Sequence, residues 1–256
     1  MRKLLVIANP YPPMASAGTN RIVRFLRHLP DEGWEPSVLA AAAQGPAAVP
    51  AGVRVFRAAV PWPKQLLSGG RRSAKVNRWV AAPDPYFAWV GPAVFKGRRI
   101  VRRERFDAIF SSSPRPSVHL IAAILSAQAD VPWLADYRDP WSTYQFRRYP
   151  TRAHRGANLG LEAWALRRSA AVTAINQPIL DDLVARHPWL AGRAHVLPNG
   201  FDRAERPADV ALGDGFWIVH TGRLYGREQQ VAAFLAALAA QPPNVKALLL
   251  GIDEGR

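Results

Sequence analysis

The sequence contains no cysteine in 256 residues. That excludes disulfides, thiolate-bound metals and a Cys nucleophile. Histidine is scarce: six residues, scattered, with no close pair at ligand spacing, so no metal site is expected. Long apolar runs are missing too. No window reaches the roughly 18 uncharged apolar residues of a spanning helix. The basic start MRKLL imitates a signal peptide, but its apolar run stops at Asn9 and Pro10. A first β-strand and a cytoplasmic protein are the expectation. Acidic residues are few: 19 Asp and Glu face 34 Lys and Arg, for a net charge of +15. Such an excess attracts polyanions: nucleic acid, anionic lipid or phosphorylated ligands. A GC-rich genome would also favour so much Arg. No module with aromatic-bearing strands or a recognition helix is present, so nucleic acid is not an expected partner.

What is present is a core-forming chain, 49% hydrophobic, long enough for one large domain or two modest ones. Short apolar runs alternate with helical periodicity. Strands are expected at about 3–8, 34–40, 53–57, 108–111, 132–136, 171–174 and 195–197. Helices are expected at about 19–29, 91–105, 117–128, 158–168 and 178–186. Runs without strict polar alternation mark a mostly parallel sheet covered on both faces. Residues 58–90, rich in Pro, Gly, Arg and Trp, read as a surface excursion. Residues 203–215 read as a linker. A fresh strand, helix and strand follow at 216–221, 228–240 and 245–250.

Parallel sheets bind ligands at the carboxyl ends of their strands, so the loops there carry the candidates. Gly18 precedes a helix, where backbone N–H groups can approach an anion; a plain turn is the alternative. Ser112, Ser113 and Arg115 follow a strand, and His119 stands in the first turn of the next helix. That His is either a base or donor at the sheet edge or a half-buried capping or core residue. DYRDPW places Asp136, Arg138 and Asp139 at a strand end, between Tyr137 and Trp141. An Arg138 salt bridge that stiffens the turn is the structural alternative.

These pieces together resemble one family. YPPMASAGTNRIVRFLRHLPDEGWEPSVLA, SSSPRPSVHLIAAIL, VPWLADYRDPW, AAVTAINQPILDDL with VLPNGFD, and IVHTGRLYG occur in the order of GT-B glycosyltransferases of the family 4 type. VPWLADYRDPW is similar to a signature of a bacterial subset that acts in surface polysaccharide assembly. The resemblance implies a GT-B N-terminal, acceptor-side Rossmann-like domain over 1–202. It also implies a linker at 203–215 and the first β-α-β of a donor-binding domain over 216–256.

It further implies transfer of a sugar from a nucleotide-diphosphate sugar to a glycan or lipid-linked acceptor, with no bound metal or other cofactor. Protein donors must then take the charge of the leaving diphosphate. By resemblance Gly18, Arg223 and Arg227 do so, His119 lies near the transferred sugar as the catalytic candidate, and Asp136, Arg138 and Asp139 shape the cleft. Trp141 braces the loop or stacks on a sugar ring. The family's later glycine-rich phosphate loop and Glu-x7-Glu motif do not occur by Arg256. The expectation is therefore a truncated donor domain and a chain that alone transfers sugar slowly or not at all. A catalytically inert relative that binds acceptor or partner is the other reading. Peripheral contact with an anionic membrane is expected from Lys96–Arg105 and the 61–90 segment.

Overall fold

The computed structural model describes residues 1–14, 16–45, 47–61, 71–145, 147–201, 212–222 and 228–251. They fall into two units, Met1–Asp202 and Arg203–Arg256.

The first unit is built on a seven-stranded sheet. Its strands are β1 (Arg2–Ala8), β2 (Trp34–Ala41), β3 (Arg54–Ala58), β4 (Ala108–Ser112), β5 (Trp133–Tyr137), β6 (Ala171–Ala174) and β7 (Ala194–Val196). The order is β3-β2-β1-β4-β5-β6-β7, and all neighbours are parallel. The run LLVIA of β1 is buried throughout because both faces are covered: Leu5 and Ile7 enter one apolar cluster, Leu4 and Val6 the other. Order reverses between β1 and β4, and such a reversal opens a crevice beyond the strand ends.

The helices are α1 (Ala17–His28), α2 (Arg71–Val80), α3 (Val90–Arg103), α4 (Ser117–Ala129), α5 (Arg152–Leu166) and α6 (Gln177–Arg186). Ser16, Thr151 and Asn176 cap α1, α5 and α6 with side-chain oxygens, each satisfying an otherwise orphaned N–H. Helix α4 is apolar on nearly all sides and its first turns are wholly buried, as expected of a core helix.

The 58–90 segment departs from the surface excursion read in the sequence. Residues 62–70 lie outside the described residues, but Arg71–Val80 is a helix. Tyr86 and Trp89 are core residues. Asp84 is buried as well. Its carboxylate accepts the N–H of Ser117 at 2.7 Å, so the segment supplies an anionic cap at the positive end of α4.

The second unit contains β8 (Phe216–Thr221), α7 (Glu228–Ala239) and β9 (Val245–Leu250), with β8 and β9 parallel. At Gly215 φ is +119°, and an added Cβ would lie 2.5 Å from the Asn244 carbonyl oxygen; only glycine fits that entry into β8. Phe216 and Leu250 remain exposed in this unit.

Candidate active site

Asp136 ends β5 facing the sheet's carboxyl edge, and it is fully buried. Ionised, it offers about four lone-pair positions, and all are filled. Arg21 Nε and Nη2 donate at 3.0 and 2.8 Å, Ser112 Oγ at 2.6 Å and Thr173 Oγ1 at 2.9 Å. Arg21 is saturated in turn. Its Nη2 also donates to the Leu197 carbonyl at 2.8 Å, and its Nη1 to the Pro198 carbonyl and Asn199 Oδ1, each at 3.0 Å. With the two bonds to Asp136, every N–H of the guanidinium is used. Arg24 adds a bond to the Gly200 carbonyl at 3.0 Å. This pair bolts α1, β4, β5, β6 and the segment leaving β7 together. Asp136 was expected to shape the sugar site; its burial and full coordination leave it no lone pair for a ligand.

Arg138, two residues on, is the opposite case. Its backbone N–H is held by Ser113 Oγ at 2.7 Å, and Asp139 N–H reaches the same oxygen at 3.3 Å. The guanidinium, however, keeps two buried donor atoms, Nε and Nη1, without a partner among the described residues. It lies over the first turn of α1: a Cβ added to Gly18 would stand 3.0 Å from Arg138 Nη1 and 3.0 Å from Pro10 Cγ. Gly18 matters here for the missing side chain. Its own N–H donates to Ser16 Oγ at 3.0 Å. Burial lowers the Arg138 pKa from its ordinary value, opposed by the charges of Asp139 and Asp136. Burial likewise raises the Asp139 carboxyl, opposed by Arg138. The two do not close an ion pair among the described residues.

His119 was expected beside the transferred sugar. It is 0% exposed, stacked on Tyr137 with ring centroids 4.8 Å apart. Its Nδ1 meets Ser111 Oγ at 2.8 Å, and that hydroxyl also accepts Trp133 Nε1–H at 2.7 Å. Burial lowers its pKa to about 4, against the pull of Asp136 and Glu162. A neutral ring in an aromatic box braces the loop from behind, and its Nε2, also buried, has no hydrogen-bond partner among the described residues. Trp141 is also buried, donating from Nε1 to Asn158 Oδ1 at 3.3 Å. Of its two expected roles, the bracing one matches this placement. Behind it, Thr143 donates to Asp182 at 2.7 Å, and Arg186 links Asp182 and Glu162 at 2.8 and 2.6 Å.

The structure therefore brings Gly18, Arg138 and Asp139 to one edge and sets Asp136, His119 and Trp141 in the layer beneath. Arg115 stands apart, its guanidinium 4.2 Å over the Tyr86 ring. Arg223 and Arg227 lie outside the described residues. The sequence reading did not single out Arg21 as a site-building residue. The signal was the carboxylate: Asp136 at a buried strand end needs a cation close by, and the first turns of α1 abut that edge.

The sequence profile of Glycosyltransferase Family 4 matches residues 18–205. No curated protein matches the chain. Several solved structures share its fold. Anabaena Alr3699/HepE, solved with UDP, aligns at TM-score 0.62 and 19% identity, over 98% of this chain and 62% of that one. The lipopolysaccharide outer core galactosyltransferase WaaB aligns at 0.60 and 10%, over 96% and 60%. Acinetobacter baumannii MurG aligns at 0.51 and 15%, over 100% and 69%. The chain thus spans 62% of the length of HepE and 60% of that of WaaB. The profile match over most of the sequence, on a parallel Rossmann-like sheet shared with GT-B glycosyltransferases, shows that this chain belongs to Glycosyltransferase Family 4.

Proposed function

We propose that the protein takes part in transferring a sugar from a nucleotide-diphosphate sugar to a glycan or lipid-linked acceptor in cell-surface polysaccharide synthesis. The observation that carries this reading is the Arg138 guanidinium. Two of its donor atoms are buried and unpartnered against Gly18, at the strand ends where such sheets take ligands. Buried donors are rarely left unpaired, and a phosphate or sugar oxygen completes them. Protein cations of this kind take the charge of the leaving diphosphate in place of a metal. Family membership and the UDP bound in the HepE structure support the donor class.

Asp139 joins His119 as an acid–base candidate. It stands at the open edge, and its raised pKa brings it nearer to the range where a general base is effective. Peripheral contact with an anionic membrane is supported by α2, where Val76, Trp79 and Val80 are exposed on a basic helix. Such a helix suits the plane of an interface.

The test is release of nucleoside diphosphate from a panel of UDP- and GDP-sugars with a lipid-linked acceptor. Arg138→Gln should lower kcat/KM at least tenfold, about the loss of one charge-stabilising donor. Asp139→Asn should lower kcat and remove the acid limb of the pH–rate profile, because only the ionised carboxylate accepts a proton. Unchanged turnover in both variants would reject this edge as the reacting site.

A further inference from the structure

The sheet has a second built edge. Helix α3 ends at Arg103 and α4 at Ala129. Both precede strands of the parallel sheet, so these ends lie beyond the amino ends of β4 and β5, opposite Gly18 and Arg138. The two helices touch closely at Gly97, where an added Cβ would stand 2.5 Å from Leu125 Cδ1. Past that contact a cavity of about 650 Å³ opens between them, within the size range of small-ligand sites.

Its lining has two parts. Val101, Phe106 and Val131 form an apolar wall, while Arg98, Arg102 and Arg105 supply three guanidinium groups. Arg98 and Arg102 are four apart, neighbours on one helix face, where like charges repel. The helix dipole favours Arg102 in the last turn, which accounts for its being tolerated but not for its facing a cavity. Arg98 Nε is tied to Gln128 Oε1 at 2.5 Å, which fixes it across the gap. Arg102 and Arg105 form no ion pair among the described residues. The nearby acids are engaged elsewhere: Glu104 with Arg54 at 2.8 and 2.5 Å and Lys3 at 3.9 Å, and Asp107 with the Lys3 N–H at 2.6 Å. The cavity's one carboxylate, Asp130, sits on a left-handed residue (φ 50°) that ends α4. The Ser126 hydroxyl donates to the Val131 carbonyl at 2.6 Å, so this wall is held by its own backbone rather than by the arginines.

We infer that this cavity binds a phosphate-bearing ligand, its phosphate under Arg98, Arg102 and Arg105 and its organic part against Val101, Phe106 and Val131. Guanidinium groups pair with phosphate through paired N–H donors. The site is separate from the sugar-transfer edge, and the inference does not depend on the proposed function. A soluble phosphate compound and a phospholipid head group share this chemistry.

The experiment measures binding, not turnover. Inorganic pyrophosphate is titrated calorimetrically into the protein at moderate salt. In parallel, the protein is sedimented with vesicles of phosphatidylglycerol in phosphatidylcholine. The variant is Arg102→Gln with Arg105→Gln; both residues are exposed, so the fold is retained. The control, Arg99→Gln with Arg103→Gln, removes the same charge from the same segment outside the cavity. Saturable binding weakened at least tenfold by the cavity pair, and less than twofold by the control, supports the site. Dependence confined to pyrophosphate assigns a soluble ligand; dependence confined to vesicles assigns a head group. Equal loss in both variants would reduce the effect to diffuse charge and overturn the inference, as would no binding to either probe.

Discussion

Arg21 and Arg138 stand at the same strand-end edge and are used in opposite ways. Arg21 is buried with every N–H donating, and its carboxylate partner Asp136 is filled to capacity. Arg138 is also drawn from water, but its Nε and Nη1 find no acceptor among the described residues. Sequence proximity of Asp and Arg says little about function; hydrogen-bond completeness separates the two. A saturated pair is architecture. It fixes where α1, β5 and the segment after β7 meet. An unsaturated guanidinium on that rigid base has donors left for a ligand. The costs follow the same division, since removing one partner of a buried pair leaves the other charge uncompensated, whereas removing an unpaired donor relieves a cost.

The strongest way to break the comparison is at Asp136. Asp136→Ala strands Arg21 inside the protein and should destabilise the first unit by about 3–5 kcal/mol, read by denaturant unfolding. A loss below about 1 kcal/mol would mean the pair is not the bolt described here.

His119 sharpens the comparison next, because it lies under the same loop and is held neutral. Its folded pKa is lowered to about 4, below the ordinary value near 6.5. As pH falls through 6.5 the unfolded chain takes up a proton that the folded chain refuses until about 4. Stability therefore drops across that window and is flat above it with respect to this group. The full drop is on the order of 3 kcal/mol. In His119→Gln the acid loss should shrink by that amount; an unchanged pH–stability curve would contradict the neutral, buried ring.

Gly18→Ala tests the approach of Arg138 to α1. The new methyl presses on Arg138 Nη1 and Pro10 Cγ, at a cost of about 1–3 kcal/mol typical of overpacking. Loss of sugar transfer should exceed what that stability change explains. The smallest expected loss is in the stability of Arg138→Gln, which should be equal to that of the parent or slightly higher because two unpaired donors are removed, by thermal unfolding. A large loss there would make Arg138 a structural residue like Arg21.

Much of this was legible before folding. The strand positions followed from apolar runs such as LLVIA and VPWLAD, and the parallel order from their alternation with helices. The edge itself followed from the rule that loops after strands carry ligands. What stayed hidden depends on side-chain depth. Nothing in DYRDPW distinguishes Asp136 from Asp139; strand pleat turns one into a network with Arg21, 115 residues away, and leaves the other at the open edge. His119 looked accessible because it follows a loop by few residues, yet α4 is buried on that side too. Helix α2 has the composition of a basic surface loop, and its apolar stripe, Val76, Trp79 and Val80, occupies only its last turns. The 152–157 start of α5 was missed because its first turn, RAHRGA, is polar and contains Gly156; the Thr151 cap was the available signal.

The contrast between the two arginines is most directly tested by arginine Nε–Hε NMR on the protein, with Arg21→Lys and Arg138→Lys to assign the signals. Arg21 should exchange slowly with solvent and keep its shift when UDP-glucose, then a polyprenyl-diphosphate sugar in detergent, is added. Arg138 should shift and slow its exchange on ligand addition. Movement of Arg21 with Arg138 unchanged, or no response of Arg138 to either compound, would contradict the assignment of the unsaturated guanidinium to ligand binding.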